Sequence, residues 1–256
     1  MRIFVCKDRY ENIMTCIYDA WEWSLKNGHE NMKIMKEPII QPSLFDEYVY
    51  IDEDKEKSLK VTNSIISKIS KEAYACVYYA TLSKEDVLDD IYRFLRIGFK
   101  VGNNVTKMLT ETSVIRMMEI RRQVYREMSF FREFIRFNSI GGNVYVAHIE
   151  PKNNIAYMTA EHFADRMPSE NWIIVDDTRR LAVIHPKDEE IYISYLNEKE
   201  MQALRTTEQY NDKYTSLWQT FFDSIAIKQR ENYRCQRNHF PIWMRKHVVE
   251  FMGDNR

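Results

Sequence analysis

The sequence is poor in glycine and cysteine, and the positions of these residues exclude several common cofactor sites. Only six of the 256 residues are glycine, and none forms a GxGxxG or GxxxxGK[ST] pattern. Backbone cradles for dinucleotides and nucleoside triphosphates need such glycines. The four cysteines are scattered without a CxxC pair, which gives no framework for zinc or an iron–sulfur cluster. We therefore expect no cofactor and no metal, and we interpret the cysteines as buried thiols in a reducing cytoplasm.

The usual signatures of catalysis are missing as well. There is no GxSxG nucleophile pattern, and the histidines stand singly, without two at the spacing of metal ligands. A lone histidine is most often structural. The residues alone therefore name no reaction.

The chain also lacks a strong net charge and long apolar runs. Its net charge of -1 gives no overall attraction to DNA, so any attraction must be local. Acidic residues crowd positions 46–56, whereas basic residues crowd positions 228–246. No eighteen apolar residues follow one another, and the apolar run at residues 3–6 is too short for a signal peptide. We expect a soluble, cytoplasmic protein without a membrane partner.

Short strands separated by long helical stretches predict an α+β fold. Residues 1–140 are expected to form a mainly helical part with two short strands. Residues 141–256 are expected to form a strand–helix–hairpin unit with a basic, helical C-terminus. The strands on either side of Asp176 are too close in sequence for a crossover, which favours a hairpin there. We predict a mixed or antiparallel sheet, which the N-terminal strands could join, with a large helical portion packed over it.

The helix predicted around residues 116–136 has one apolar side and one cationic side. At 100° per residue, Arg122, Arg126 and Arg136 fall opposite the apolar residues. A row of guanidinium groups matches phosphate oxygens and could follow a nucleic-acid backbone. Three glutamates lie within helical reach of these arginines: Glu119, Glu127 and Glu133. A solvated face of paired charges is therefore a strong alternative interpretation.

A second group of polar residues links a predicted helix to a predicted turn. His162 lies on the helix, and Asp177 lies in the turn that ends a strand. Such a pair could act as general acid and base while nearby arginines hold a phosphate. Those arginines would be Arg166, Arg179 and Arg180. In the alternative interpretation, the aspartates of the turn bond to the backbone and pair with neighbouring arginines.

The C-terminal segment, residues 230–247, interleaves basic and aromatic residues. This composition suits neutralisation of phosphates together with stacking on unpaired bases. The candidate contacts are Arg230, Tyr233, Arg234, Arg237, His239, Trp243, Arg245 and Lys246. Alternatively, Phe240, Trp243 and Phe251 dock this tail on the core while its charges remain in water.

The order of several short segments resembles a bacterial family labelled "probable DNA metabolism protein". These segments are residues 18–23, 134–137, 162–166, 172–177 with Arg180, and 236–241 with 250–251. The family is a domain of unknown function found beside a radical-SAM DNA-modification or repair protein, or fused to a uracil-DNA glycosylase-like domain. The chain departs from the family pattern at Ser129 and Glu133, where a histidine and a glycine are expected, and it has no CxxxCxxC radical-SAM motif. The resemblance implies a protein that acts with such enzymes.

Three functional hypotheses follow from these patterns. The first is a nucleic-acid-binding accessory protein in DNA repair or modification, with DNA and a radical-SAM or glycosylase-like enzyme as partners. The second is a hydrolase or lyase that acts on damaged DNA through His162 and Asp177. The third is a protein-interaction module that docks the partner enzyme without contacting DNA.

Overall fold

The structure of the protein is a computed structural model that describes residues 1–207, 213–225, 227, 229 and 231–251. It divides into two compact units, residues 1–125 and 126–256. One long helix, residues 112–134, runs through the division. The domain boundary predicted near Ile140 stays a prediction, because a division by compactness does not test where independently folding domains end.

The first unit combines a small parallel sheet with helices. Its elements are β1 (Arg2–Cys6), α1 (Tyr10–Asn27), β2 (Met32–Lys36), β3 (Glu47–Tyr50), α2 (Lys55–Lys68), α3 (Lys71–Thr81), α4 (Leu88–Val101) and the start of α5 (Thr112–Phe134). The strands pair in parallel in the order β2-β1-β3. The weak periodicity of residues 27–43 predicts a loop that could include a short helix. The structure has a single-turn 3-10 helix at His29–Asn31, but the prediction is wrong at β2. Met32 and Ile34 are buried on either side of exposed Lys33, a two-residue alternation too short to detect by periodicity.

The second unit contains a five-stranded mixed sheet. Its elements are β4 (Asn138–Ile140), β5 (Val144–Ile149), α6 (Ala156–Arg166), β6 (Asn171–Asp176), β7 (Leu181–His185), β8 (Tyr192–Tyr195), α7 (Glu198–Thr207), α8 (Lys213–Ile225) and α9 (Tyr233–His239). The strand order is β4-β5-β6-β7-β8, and only β5 and β6 pair in parallel. The α+β class and the mixed sheet are confirmed. The N-terminal strands, however, form their own sheet instead of joining this one.

Helix α6 is the crossover that parallel pairing of β5 and β6 requires, because parallel neighbours cannot be joined by a tight turn. It packs on the sheet face that carries Trp172. The Trp172 indole N–H donates to the carbonyl oxygen of Met167 at 3.3 Å, and Phe163 of α6 meets Trp172 through Phe137. Helix α7 packs on a hydrophobic cluster that includes Val146 and Val175. Since Val175 and Trp172 differ by an odd number of positions in β6, these two helices cover opposite faces of the sheet.

Helix α5, which carries the arginine row, buries its apolar side as the sequence pattern predicts. Its apolar residues are buried: Met117, Ile120, Val124, Met128, Phe131 and Ile135. Glu127 departs from the pattern, because it is also buried and accepts hydrogen bonds from the backbone N–H groups of Lys152 (2.6 Å) and Asn153 (3.1 Å). This glutamate therefore anchors the loop after β5 and does not serve the arginines beside it.

The C-terminal helical prediction is wrong in two respects. The pattern of residues 208–237 predicts one long helix, but the structure has α8 and α9 as separate helices, and residues 208–212, 226, 228 and 230 lie outside the described part. The side chain of Asn232 begins α9 by accepting from the backbone N–H of Cys235 at 2.9 Å. The spacing of the apolar residues in α8 predicts that this face packs on the core. Leu217, Phe221 and Ile225 are instead 63%, 50% and 56% exposed.

We predict that Asp54→Ala lowers the free energy of unfolding by about 1 kcal/mol. The Asp54 carboxylate caps α2 by accepting from the N–H groups of Glu56 (2.9 Å) and Lys57 (3.1 Å). Denaturant unfolding followed by circular dichroism measures the effect. The matched control is Asp52→Ala, which removes an exposed carboxylate from the same acidic stretch. Equal losses of stability in both variants would contradict the capping role.

Candidate functional site

The parallel pairing of β5 and β6 brings two carboxylates to one edge of the sheet. Ile149 and Asp176 are the paired last residues of these strands, so Glu150 and Asp177 leave the sheet side by side. Side chains alternate along a strand, and His148 therefore lies on the same face as these two residues. Ligands of sheets with parallel strands commonly bind beyond the carboxyl ends of the strands.

His148 and Asp177 form a buried hydrogen bond at this edge. The distance from Nδ1 of His148 to Oδ2 of Asp177 is 3.0 Å, and the two side chains are 1% and 4% exposed. The other ring nitrogen of His148 lies 3.2 Å from the carbonyl oxygen of Leu204 in α7. The ring is thereby fixed between the sheet and the helix that covers it.

The surroundings of Asp177 favour its charged form. Burial raises the pKa of this carboxyl, but the hydrogen bond and charge of His148 act in the opposite direction. The charge of His247 and a bond from Nε of Arg205 at 3.3 Å add to this, so the pKa of Asp177 lies below its usual value. Asp177 is therefore a carboxylate held in place by cationic and hydrogen-bonding neighbours.

A second histidine reaches the site from the C-terminal segment. The His247 ring stacks on His148 with a centroid distance of 6.0 Å and an interplanar angle of 29°. Its Nε2 atom lies 3.5 Å from Oε1 of Glu150 and 3.8 Å from Oδ2 of Asp177. We call these four residues, His148, Glu150, Asp177 and His247, the histidine–carboxylate cluster. The ammonium group of Lys246 also pairs with Glu150.

The cluster borders a cleft with mostly apolar walls. These walls include Phe131, Phe134, Ile135, Phe240, Trp243 and Met244. Apolar walls exclude water and strengthen electrostatic interactions with the polar groups beside them. An imidazole beside two carboxylates can accept or donate a proton or bind a cation.

The structure places His162 away from this cluster. His162 lies on α6, which covers the sheet face opposite to His148 and Asp177. Burial lowers the pKa of His162, and the charges of Arg132 and Arg166 lower it further. The histidine that bonds to Asp177 is His148, so the structure does not pair His162 with Asp177 as the sequence predicts. The polar residues after the strands do make the turn contacts of the alternative interpretation. Asp176 accepts from the backbone N–H groups of Thr178 and Arg179, both at 3.0 Å.

Several arginines expected to hold phosphates have partners within the protein. Arg136 donates to Oε1 of Glu250 at 2.6 and 3.1 Å. The remaining ion pairs of this kind are Arg179–Asp176, Arg180–Glu198 and Lys246–Glu150. Arg245 is buried and donates to the carbonyl oxygen of Phe240 at 3.1 and 2.8 Å. Local carboxylates and carbonyl groups therefore engage these five cations.

The other predicted contacts are exposed. They are Arg122 and Arg126 on α5, Arg166 at the end of α6, and Tyr233, Arg234, Arg237 and His239 on α9. Trp243 is partly exposed, and the Lys152 ammonium lies 4.3 Å from the centre of its ring. Arg230 lies outside the described residues. The basic residues of α9, Arg234, Arg237 and His239, form what we call the α9 basic surface.

Sequence reasoning missed three members of the cluster: His148, Glu150 and His247. Each had a local signal, because His148 lies near the end of an apolar strand, Glu150 follows that strand and His247 follows an aromatic segment. These signals become specific only when the strand pairing is known. His148 and Asp177 lie about thirty positions apart in the chain, and Glu150 and His247 lie about one hundred positions apart. No motif with fixed spacing covers such distances.

Comparison with models of known protein families identifies one family that matches the chain. The profile of DUF4130, a domain of unknown function, matches residues 85–250. The chain belongs to the DUF4130 family. The match spans all four members of the histidine–carboxylate cluster and the whole of α9. No curated protein matches the chain. The expected membership of a family of unknown function is thereby confirmed for this DUF4130 protein, whereas its link to DNA metabolism stays a prediction. None of its described helices has the length and apolarity to cross a membrane.

We predict that Asp177→Asn lowers the free energy of unfolding at neutral pH by about 1.5–3 kcal/mol, because it removes the buried carboxylate that is hydrogen-bonded to His148. Because the folded pKa of Asp177 is depressed, its contribution is complete above the ordinary aspartate pKa of about 3.9. The part of the difference that comes from the Asp177 charge should thus be present at about pH 5 and shrink as the pH falls through the folded pKa.

The measurement is denaturant unfolding at a series of pH values. The matched control is Asp165→Asn, which changes an exposed aspartate of α6. Buried Asp176 has a raised pKa, chiefly because of burial, and affects both proteins alike. A variant as stable as wild type would remove the basis for the buried pair.

Proposed function

We propose that this DUF4130 protein binds nucleic acid through the α9 basic surface, as an accessory protein in DNA repair or modification. The main support for this proposal is that the arginines of α9 are exposed and take part in no ion pair within the described residues. Arg234 and Arg237 are exposed and three residues apart, which places them on one side of the helix. Within the described part of the chain, neither takes part in an ion pair, unlike Arg136, Arg179, Arg180 and Arg205 of the second unit.

The charge around α9 is positive enough to affect a buried neighbour. Burial lowers the pKa of Arg245, and the charge of Arg237 lowers it further. A guanidinium that repels a second guanidinium gains free energy when an anion binds between or beside them. Phosphate oxygens match the planar fork of arginine and supply that anion.

Aromatic residues near these cations suit single-stranded nucleic acid. Tyr233 is 41% exposed at the start of α9, and Trp243 is 37% exposed in the segment that follows. Stacking of a base on an exposed aromatic ring contributes about 1–3 kcal/mol and requires a base that is free of its partner strand. The α9 basic surface with Tyr233 and Trp243 therefore favours single strands over duplexes.

The proposal is tested by measuring the binding of fluorescently labelled single- and double-stranded DNA at several salt concentrations. Affinity should fall as salt rises, and the double variant Arg234→Gln/Arg237→Gln should reduce the slope of log affinity against log salt by about 1.4 for single strands. The matched control is Arg93→Gln/Arg96→Gln. It removes the same charge from arginines already paired with Asp89 and Glu30. Absence of salt-dependent binding at low ionic strength, or an equal loss in the control, would overturn the proposal.

An exposed apolar face on α8 supports the second part of the proposal, action together with an enzyme partner. Leu217, Phe221 and Ile225 recur at helical spacing and are each at least half exposed. Apolar side chains that recur on one helix face are a common recognition surface for another protein. The partner that the family resemblance suggests is a radical-SAM or uracil-DNA glycosylase-like enzyme.

We predict that Leu217→Ser/Phe221→Ser abolishes co-purification of such an enzyme after nuclease treatment. The control is the variant Arg234→Gln/Arg237→Gln, in which α8 is unchanged. This variant should lose DNA binding and still co-purify with the enzyme. Recovery of the enzyme with the α8 variant at wild-type yield would rule out this face as the docking surface.

A further inference from the structure

We propose that Glu150, Asp177 and His247 form a binding site for a divalent transition-metal ion, with His148 as the residue that positions Asp177. The inference does not depend on nucleic-acid binding, because the α9 basic surface contributes none of these residues. It concerns the one group of at least three histidine, cysteine or carboxylate side chains, among the described residues, whose ligand atoms lie close enough together to share an ion.

The spacing of the ligand atoms fits a single ion. Nε2 of His247 lies 3.5 Å from Oε1 of Glu150 and 3.8 Å from Oδ2 of Asp177, and all three ligand atoms lie within 4.8 Å of one another. Bonds to such ions are about 2.0–2.2 Å long, so two ligands of one ion are at most about 4.4 Å apart. Both distances from His247 meet this limit, and the separation of Glu150 from Asp177, which is at most 4.8 Å, requires only a small shift of one side chain. Glu150 is 32% exposed, which leaves its side chain room to adjust.

The chemistry of the ligands selects the kind of ion. Imidazole nitrogen suits zinc, iron, cobalt and nickel, whereas carboxylate oxygen also accepts manganese. Magnesium and calcium prefer sites made only of oxygen ligands. One imidazole with two carboxylates therefore favours a first-row divalent ion such as Zn²⁺, Co²⁺ or Mn²⁺. Three protein ligands leave further coordination positions for water or a substrate.

His148 orients a ligand of the proposed site by bonding to Asp177, as residues next to metal ligands commonly do. Its 3.0 Å bond to Oδ2 of Asp177 fixes the orientation of that carboxylate, and its second ring nitrogen is fixed by Leu204. Hydrogen bonds of this kind to a metal ligand change affinity by about tenfold to a hundredfold. Both side chains of the pair are almost fully buried, so the orientation exists before an ion arrives.

Two cations hold the carboxylates of the site and would compete with an ion. The ammonium group of Lys246 pairs with Glu150, and the guanidinium of Arg205 lies 3.3 Å from Oδ1 of Asp177. Their side chains are 61% and 55% exposed, so they can turn toward water when an ion binds. Removal of the Lys246 charge should therefore tighten metal binding. A network of ion pairs with only a structural role would show no such gain.

The experiment uses the full chain, stripped of metal with a chelator. Isothermal titration with Zn²⁺ and Co²⁺, visible absorption of the Co²⁺ complex and thermal melting give three readouts. We expect one ion per chain with a dissociation constant below about 10 μM, a Co²⁺ spectrum with a nitrogen ligand, and weaker binding of Mg²⁺ and Ca²⁺.

Variants separate this site from surface binding. Glu150→Gln and His247→Gln should each weaken binding at least about tenfold, His148→Asn should weaken it less, and Lys246→Met should strengthen it. The matched controls are Glu161→Gln and His239→Gln, which change an exposed glutamate and an exposed histidine elsewhere in the second unit. Circular dichroism confirms that each variant is folded. Absence of one-to-one binding, or binding that only His239→Gln abolishes, would overturn the proposal. So would unchanged affinity in both Glu150→Gln and His247→Gln.

Discussion

The parallel pairing of β5 with β6 is the constraint on which the rest of the second unit depends. It forces the chain through the α6 crossover, and it ends two strands at the same edge of the sheet. Polar residues that follow an apolar strand are thereby brought together although 27 positions separate Glu150 from Asp177. The bond between His148 and Asp177 then ties both strands to α7. His247 brings the C-terminal segment to the same place.

This arrangement explains why one end of the sheet gathers so much charge. Two carboxylates beside each other repel, and both are buried wholly or in part, so the fold must supply cations around them. Arg205 of α7 and Lys246 of the C-terminal segment do so, and His148 adds a hydrogen bond to Asp177. Lys246, which looks like a candidate for phosphate binding in the sequence, is used for this purpose. The candidate residues for phosphate binding that take part in no ion pair within the described residues lie mainly on α9, on α5 and at the end of α6.

Much of the fold could be predicted because its signals are local. The apolar stripe of α5 and the glycine turn before β5 follow from spacing and from residue type. The failures also have physical causes. β2 is a five-residue strand whose alternation is shorter than a reliable period. The apolar stripe of α8 predicts burial, but periodicity shows only that a face is apolar, not what covers it. The site was missed because His148, Glu150, Asp177 and His247 meet through strand pairing and a returning C-terminal segment, which no local pattern encodes.

The central claim is that Asp177 is held by His148, and proton NMR of the imidazole side chains tests it directly. The account predicts a slowly exchanging Nδ1 proton on the buried His148 ring, assigned through His148→Gln, that disappears in Asp177→Asn and persists in Asp165→Asn. A His148 ring that exchanges its Nδ1 proton as fast as exposed His239, with or without Asp177, would contradict the account.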